Sequence, residues 1–353
     1  MNRMTLRSPQ TGVSIESSQQ ALTVQESLGR SRPLSNSPAP WVVVPAGGQG
    51  TRLQQFIRQI LGSERPKQFC PIIGSRSMLR HTWDRALQLT SPDRIVTVVT
   101  TGQEPYLADE RRAGIPGTVL VQPQNKETGP GLALPLLWIA QRDPAASVVL
   151  FPADHFVWEE ARFLRHVRTG LRVLAQHRDR LALLGVEADG PERSYGWIVP
   201  GDRVWSNGST DLYSVVRFWG KPDRRTALYL YGCGHLWNTL VVAGRLTTYL
   251  RLVEETMPEV IAALRPAAAD LDDGAATSLR RLEAAYARCP RANFSHALLV
   301  QRPDALLVLA ARDVFWSDWG DPDRIVRTLR RLELKPDWLP VYAHSRRIAE
   351  QEG

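Results

Sequence analysis

Cysteine and long apolar runs are scarce in this chain of 353 residues. The three cysteines, Cys70, Cys233 and Cys289, have no metal-ligand spacing and form no even disulfide set, which fits a reducing cytoplasm better than an oxidising compartment. No apolar run approaches the roughly 18 residues that a membrane helix requires. We therefore expect a soluble, cytoplasmic protein with no membrane partner.

The two commonest phosphate-binding motifs are absent as well. A P-loop needs glycine, four residues and then Gly-Lys-Ser or Gly-Lys-Thr, and no such run occurs. The dinucleotide fingerprint would need a glycine at position 53, which holds Leu53. Any phosphate site in this chain therefore has another design.

The formal net charge of +8 would suit a protein that binds nucleic acid. The basic residues are nevertheless dispersed among acidic neighbours, and no RNA- or DNA-binding signature accompanies them. An anionic small molecule explains the charge equally well. We therefore expect no nucleic-acid partner.

The first 40 residues differ in composition from the rest. They are rich in Ser, Gln, Arg and Pro and show no sustained periodicity, which predicts a disordered leader over 1–40. They also lack the apolar segment of a secretory signal. We expect order from Trp41, with one domain over 41–330 and a short C-terminal helix and tail over 331–353.

Strand-like apolar runs alternate with helix-like stretches from Trp41 onward. Helical spacing is clearest for Leu164, Val167 and Leu171. The alternation predicts βαβ units and a mainly parallel, doubly wound α/β sheet, in which ligands bind beyond the C-terminal ends of the strands. The predicted strands are 41–45, 95–100, 118–122, 147–152, 182–186, 213–218, 239–243 and 305–311.

The most informative segment follows the first predicted strand. Residues 46–53 read Ala-Gly-Gly-Gln-Gly-Thr-Arg-Leu. Glycines remove the Cβ atoms that would hold the backbone away from a ligand, and they permit positive φ, so successive N–H groups can turn towards a phosphate. Arg52 adds a planar cation that fits phosphate oxygens. The segment predicts an anion-binding loop, although a plain tight turn would use the same glycines.

Three further polar residues lie near apolar runs: Lys67, Asp154 and Asp318. Two aspartates on strand-end loops offer the oxygen ligands that Mg²⁺ prefers, beside water and substrate phosphate. Taken alone, each aspartate is also explained as a helix cap. His155 is interpreted as a hydrogen-bonded orienting residue and not as a catalytic base.

Eight motifs in order give the chain a family resemblance over about residues 41–330. It resembles the sugar-phosphate nucleotidylyltransferases, and within them it is most similar to bacterial mannose-1-phosphate guanylyltransferases. The motifs are AGGQGTRL (46–53), RPKQF (65–69), QPQNKETGPG (122–131), FPADH (151–155), SYGWIVPG (194–201), FWGKPD (218–223), LWN (236–238) and WSDWG (316–320).

The resemblance implies a Rossmann-like, GT-A-like doubly wound mixed sheet with an added sugar-binding sub-sheet. It implies that an NTP and a sugar-1-phosphate become an NDP-sugar and pyrophosphate, with Mg²⁺ as cofactor. The resemblance favours GTP and mannose-1-phosphate as the two substrates. The sugar phosphate is already an anionic nucleophile, so catalysis would consist of positioning and charge neutralisation.

The resemblance also implies a role for each site residue, carried over by motif. The catalytic cations would be Arg52 and Lys67, and the metal ligands Asp154 and Asp318. The sugar phosphate would be bound by Gly196, Lys221 and Asn238. The nucleotide would be bound by Ala46, Gly47, Gly48, Gly50, Thr51, Gln122, Asn125 and Thr128.

The sugar side departs from the family pattern. Gly220 stands where the family has a glutamate before the lysine, and Leu240 stands at the glycine of the Trp-Asn-Ser-Gly motif. A missing polar partner for a sugar hydroxyl should change discrimination between sugars, so the sugar and the base stay open. The segment 54–65 is longer than the usual link, and the length after 330 predicts no second catalytic domain.

Two other interpretations stay open on the sequence. A catalytically weak paralogue that binds nucleotide sugar and regulates a partner would suit Gly220 and Leu240. A basic nucleic-acid-binding protein would suit the net charge and would lose affinity steeply with salt. The joint presence of the cations and aspartates, without a convincing nucleophile-base pair, favours a direct displacement reaction.

Overall fold

The computed structural model describes residues 39–208, 210–269, 271 and 276–344. By compactness the chain divides into Met1–Pro38 and Ala39–Gly353, and the described residues all belong to the second unit. The predicted leader up to residue 38 and the predicted tail over 345–353 lie outside the described residues. No helix in the described ranges combines the length and apolarity that a membrane span needs.

Strands and helices alternate as the sequence predicts. The strands are β1 (Trp41–Pro45), β2 (Ile95–Thr100), β3 (Thr118–Gln122), β4 (Ser147–Leu150), β5 (Phe156–Trp158), β6 (Leu181–Glu187), β7 (Gly196–Ser206), β8 (Asp211–Gly220), β9 (Leu236–Arg245), β10 (Leu306–Ala311) and β11 (Phe315–Ser317). The helices are α1 (Gln54–Leu61), α2 (Met78–Leu87), α3 (Glu104–Arg111), α4 (Thr128–Ala140), α5 (Glu160–Leu174), α6 (Arg224–Gly232), α7 (Leu246–Thr256), α8 (Pro258–Ala268), α9 (Ala276–Arg288) and α10 (Pro322–Arg331).

Nine strands form one mixed sheet in the order β3-β2-β1-β4-β9-β6-β10-β8-β7, and β5 pairs with β11 in a small separate sheet. In the large sheet four strand pairs are parallel and five are antiparallel. The α/β class and the mixed sheet are confirmed. The expectation of a mainly parallel sheet is wrong for the half that contains β7, β8 and β9. A connection of a few residues joins β7 to β8, which is too short for the crossover that parallel strands require.

Helices cover both faces of the sheet, and β1 shows how. Val43 packs into a core with α4, α7, α8 and α9, whereas Val42 and Val44 pack into a second core with α2 and α5. All three valines are fully buried, which explains why this strand is continuously apolar. The helical spacing of Leu164 and Val167 is confirmed in α5, where both side chains face the second core.

The long link after the glycine loop folds as helix α1. Its Phe56 packs edge-to-face against Trp338 and Tyr342, with ring centroids 5.4 and 5.0 Å away. Those two residues belong to a helical stretch over 338–344. The inserted residues therefore support a separate apolar cluster beside the sheet, which also contains the buried Trp319.

Candidate active site

The glycine loop leaves the C-terminal end of β1, and side chains from other segments fix its carbonyl groups. The oxygen of Gly47 accepts a hydrogen bond from Thr100 Oγ1 at 3.0 Å. The oxygen of Gly48 accepts from Gln68 Nε2 at 2.7 Å and from Gln103 Nε2 at 2.9 Å. These contacts orient the peptide groups of the loop.

The amide side of the same loop is free to bind. Within the described chain, no hydrogen-bond acceptor serves the N–H groups of residues 47–49. Gly47 leaves no room for a side chain without movement of its neighbours, because a Cβ there would lie 2.5 Å from Gln122 Nε2. Gly50 has a φ of +61°, in the left-handed region that glycine adopts without strain. Free amides on a fixed backbone are the arrangement that cradles phosphate oxygens.

A cleft of about 500 Å³ lies against this loop, beyond the C-terminal ends of β1, β3 and β4. The predicted site residues that line it are Ala46, Gly47, Gly48, Gln122, Asn125, Thr128 and Asp154. The sequence did not single out several other lining residues, among them Gln49, Gln68, Glu127, Arg291 and Asn293.

Gln122 connects two walls of the cleft through hydrogen bonds. Its Nε2 donates to Thr100 Oγ1 at 2.9 Å, and its Oε1 accepts from the hydroxyl of Tyr286 at 3.3 Å. Thr100 in turn donates to the oxygen of Gly47. Because both ends of the Gln122 amide are engaged and the side chain is buried, its visible role is to hold the glycine loop in place.

The wall opposite the glycine loop comes from two segments distant in sequence. Asn125 donates from Nδ2 to the oxygen of Gly47 at 3.3 Å and accepts the N–H of Glu127 at 2.9 Å. Thr128 Oγ1 accepts the N–H of Phe294 at 2.9 Å. Glu127 has φ 72° and ψ −171°, a backbone conformation that is essentially reserved for glycine. Strain of this kind is typical of functional sites.

Lys67 lies beneath the cleft and bridges the two predicted metal ligands. Its side chain is buried, with Nζ 2.9 Å from Asp154 Oδ2, and it also donates to the backbone oxygen of Asp318. Burial alone would raise the pKa of the Asp154 carboxyl. The charge of Lys67 and its hydrogen bond to the carboxylate outweigh burial, and the pKa of Asp154 lies below its ordinary value. Asp154 is therefore a carboxylate at neutral pH.

Asp318 is supported from the opposite direction by helix α10. Its Oδ1 accepts from Arg324 Nη1 at 2.6 Å and from the N–H of Gly320 at 2.9 Å. The guanidinium of Arg324 also lies 2.6 Å from Glu192 Oε2, and its own pKa is raised. Burial alone would lower that pKa, but the carboxylate of Asp318 and its other acidic neighbours outweigh it. Asp318 thus belongs to a charge network that the sequence did not predict.

The donor set around Lys67 fits a magnesium ion only with help from a substrate. No group of three or more metal-ligating side chains occurs within the described ranges. The two carboxylates of Asp154 and Asp318 are hard oxygen donors, and Mg²⁺ commonly takes one or two of these beside substrate phosphates and water. The buried Nδ1 of His155 next to them has no hydrogen-bond partner among the described residues. Burial lowers the pKa of this imidazole, so His155 is neutral at pH 7.

The predicted sugar-side residues come together at the edge of the antiparallel ladder. Gly196 of β7 pairs with Gly220 of β8, and a Cβ on Gly196 would lie 3.4 Å from the Cβ of Asn238. A Cβ on Gly220 would lie 3.1 Å from the ring of His296. The imidazole of His296 therefore occupies the space beside the glycine that replaces the family's glutamate.

Leu240 and Lys221 carry backbone strain on this side. Their φ angles are +54° and +53°, in the left-handed region that disfavours side chains with a Cβ. Leu240 lines the cleft, and Asn238 Oδ1 accepts its N–H at 3.2 Å. The glycine expected from the family motif would be unstrained at position 240, so its replacement by leucine has a local conformational cost.

Several predicted residues lie outside the lining of the cleft. Thr51 and Arg52 are exposed at its margin, and Lys67 and Asp318 lie beneath it. The residues concerned are Gly50, Thr51, Arg52, Lys67, Gly196, Lys221, Asn238 and Asp318.

Comparison with known proteins agrees with the resemblance. The family described as nucleotidyl transferase matches residues 42–333. The xanthan biosynthesis protein XanB of Xanthomonas campestris pv. campestris (strain B100) is 29% identical over 283 residues, covering 79% of this chain and 57% of that protein. A mannose-1-phosphate guanylyltransferase of Escherichia coli (strain K12) is 27% identical over 288 residues, with the same coverages of 79% and 57%. The chain thus spans little more than half the length of these relatives.

A solved structure supports the fold. A Thermus thermophilus protein, described as a mannose-1-phosphate geranyltransferase, superimposes with a TM-score of 0.65 at 24% identity. The match covers 80% of this chain and 76% of that one. The Rossmann-like class of the sheet is confirmed by this likeness.

Proposed function

Because the chain belongs to the nucleotidyl transferase family, we propose that it converts an NTP and a sugar-1-phosphate to an NDP-sugar and pyrophosphate. The observation that carries the proposal is the fixed glycine loop. Its carbonyls are bound by buried side chains, its amides are free, and it lines the same cleft as the carboxylate of Asp154. GTP and mannose-1-phosphate are the proposed pair, because relatives at 24–29% identity are described as mannose-1-phosphate guanylyltransferases.

In the proposed reaction a phosphate oxygen of the sugar-1-phosphate attacks the α-phosphorus of the NTP. The bond from the α-phosphorus to the bridging oxygen breaks, and pyrophosphate leaves with that electron pair. No proton has to be removed from the nucleophile, which is already an anion. This agrees with a cleft that offers amides, cations and carboxylates.

The proposed roles follow from position. The amides of Gly47 and Gly48 hold the triphosphate, with Arg52 at the margin of the cleft. Asp154 and Asp318 hold Mg²⁺, which would neutralise charge on the phosphates when bound. Lys67 keeps the two aspartates adjacent through its contacts with both residues.

On the sugar side, Lys221 binds the phosphate and Asn238 with Gly196 faces the sugar. Lys221 is exposed and has no ion-pair partner within the described chain, so its ammonium is available to an anionic substrate. The ring of His296 beside Gly220 supplies a polar group where the family has a carboxylate. A nitrogen ring in place of a carboxylate changes which sugar hydroxyl groups can be bound, so the assay has to compare mannose-1-phosphate with other hexose-1-phosphates.

The test is a pyrophosphate-release assay over the common NTPs and a set of hexose-1-phosphates, each with Mg²⁺ and with a chelator. We expect release only when an NTP, a hexose-1-phosphate and Mg²⁺ are all present. No release from folded protein with any pair would overturn the proposal. Tight binding of an NDP-sugar without any turnover would favour the alternative of a regulatory paralogue, which Gly220 and Leu240 motivate.

A further inference from the structure

A second cavity, of about 480 Å³, shares no lining residue with the cleft. Its walls combine one face of helix α10, the loop before β7 and a group of aromatic side chains. The lining residues that matter are Arg324, Arg327, Arg331, Asp189, Glu192, Trp237 and Trp316. Successive side chains of a strand point to opposite faces, so Trp237 and the sugar-side Asn238 lie on opposite faces of β9.

Two of the three arginines in this cavity are paired and one is not. Arg324 lies 2.6 Å from Glu192, and Arg331 forms an ion pair with Asp189. Arg327, one helical turn from Arg324, is exposed and forms no ion pair within the described chain. The cavity therefore contains one available cation and two carboxylates whose positions are fixed by neighbouring arginines.

The aromatic wall contains two unsatisfied donors. The indole N–H groups of Trp237 and Trp316 are buried, and neither has an acceptor among the described residues. The two side chains are only 5% and 4% exposed. A buried donor without a partner costs about 1–3 kcal/mol, and the side chains that carry these two donors both line the cavity.

We propose that this second cavity binds a phosphate ester that carries hydroxyl groups. The phosphate pairs with Arg327, the hydroxyl groups donate to Glu192 and Asp189, and ligand oxygens accept from the two indole N–H groups. Each part of this ligand would contact a different polar group of the cavity. A sugar phosphate, a nucleoside monophosphate and an NDP-sugar share this chemistry.

The test measures binding of four separate probes to the full chain by calorimetry: inorganic phosphate, a hexose-1-phosphate, a nucleoside monophosphate and an NDP-hexose. We expect at least one ester to bind at two sites per chain in the native protein. R327Q should weaken one of the two sites by at least about tenfold, the usual effect of losing one charge-assisted contact. R330Q is the matched control, because Arg330 is an exposed arginine of the same helix and does not line the cavity.

A single ester site that R327Q leaves unchanged would overturn the proposal, as would equal binding by R327Q and R330Q. Inorganic phosphate that binds the second site as tightly as the best ester would also overturn it, because the hydroxyl groups of the ester would then add nothing to the affinity. The indole N–H signals of ¹⁵N-labelled protein give an independent readout. The Trp237 and Trp316 signals, assigned with W237F and W316F, should shift on saturation and shift less in R327Q.

This site is separable from the proposed reaction. If no NTP and sugar phosphate pair releases pyrophosphate but R327Q still removes one ester site, the second site stands and the proposed function fails. If turnover is found and the R327Q effect is absent, the proposed function stands and the second site fails.

Discussion

The glycine loop on the nucleotide side of the cleft is held by buried side chains, whereas two residues on the sugar side have positive φ without being glycine. Thr100 and Gln68 fix the carbonyls of the glycine loop, and the one residue of that loop with positive φ is Gly50. Leu240 and Lys221 have positive φ without being glycine, at roughly 1–2 kcal/mol each.

This difference separates the half of the site that many sequences can form from the half that depends on particular side chains. A triphosphate is recognised by backbone amides and cations, which many sequences can present in the same geometry. Sugar recognition depends on side chains, and here a leucine with a strained backbone, Leu240, lines the cleft. In the proposed function, the nucleotide side would set the reaction class and the sugar side would set the choice of sugar.

The largest expected effect concerns Asp154, whose carboxylate pairs with Lys67. D154A should lower the rate of pyrophosphate release by at least about 10³-fold, or about 4 kcal/mol of barrier, because it removes a proposed metal ligand and leaves Lys67 unpaired. Steady-state assays with Mg²⁺ measure this change. D202A, at an exposed position of β7, should keep the native rate. Near-normal turnover of D154A would show that Asp154 holds no metal.

The next effect tests whether the nucleotide side is as tightly packed as its contacts indicate. G47A should lower the free energy of unfolding by about 1–3 kcal/mol, because its Cβ would collide with Gln122 and Thr100. G48A is the matched control, since a Cβ there meets nothing within 4 Å, and it should stay within about 0.5 kcal/mol. Equal denaturation midpoints for the two variants would contradict this account of the loop.

A third prediction concerns the strain on the sugar side. L240G should be more stable than L240A by about 1 kcal/mol, because both variants lose the leucine contacts but only alanine keeps a Cβ at positive φ. Val242 gives the control on the same strand, where V242G should be less stable than V242A, as is usual for glycine in a strand. Urea denaturation of the four variants measures both differences. L240A more stable than L240G would remove the argument for strain.

The smallest effect concerns the support behind the sugar side. Burial alone would raise the pKa of the Glu192 carboxyl, but hydrogen bonds from Ser194 and the charge of Arg324 hold it below the ordinary value of 4.5. A carboxyl with a lowered pKa stabilises the fold above its unfolded pKa and loses that contribution as the pH falls through the folded pKa. E192Q should therefore be less stable than the native protein by about 1 kcal/mol at pH 7.

The difference in the free energy of unfolding between the native protein and E192Q should become smaller below pH 4.5, because the carboxyl of Glu192 is then increasingly protonated in both the folded and the unfolded state. Thermal unfolding at several pH values measures the narrowing. E283Q, at an exposed position of α9, serves as the control and should match the native protein throughout. A stability difference for E192Q that is constant with pH would contradict the role given to its charge.

The sequence predicts the nucleotide side well because its signals are local. The glycine loop directly follows a buried strand, and Gln122 and Asp154 each lie at or just past a strand end, so topology brings them to one edge. All eight predicted strands exist, although β5, β7 and β11 were missed. β5 and β11 are three residues each, and β7 contains Pro200, Gly201 and a shifting register, so none shows a clear alternation.

The rest of the site depends on contacts between distant segments. Arg291 and Asn293 reach the cleft from more than 160 residues beyond Asn125, and nothing in their local sequence marks them. Arg324 was hidden for a similar reason, since an arginine in a polar helix start gives no sign that it will be buried. The family motif has a glycine at position 240, which indicates positive φ there, whereas leucine by itself gives no such indication.

The guanidinium of Arg324 touches Asp318 on one side and Glu192 on the other, so one rigid planar group links a proposed metal ligand to the lining of the second cavity. Whatever draws this group towards the second cavity weakens its hold on Asp318, and whatever engages Asp318 frees charge for the second cavity. Such an exchange is thermodynamically reciprocal: each ligand changes the affinity of the other by the same factor. If Asp318 holds a metal ion and the second cavity holds an ester, as proposed, this one buried arginine would couple the two affinities.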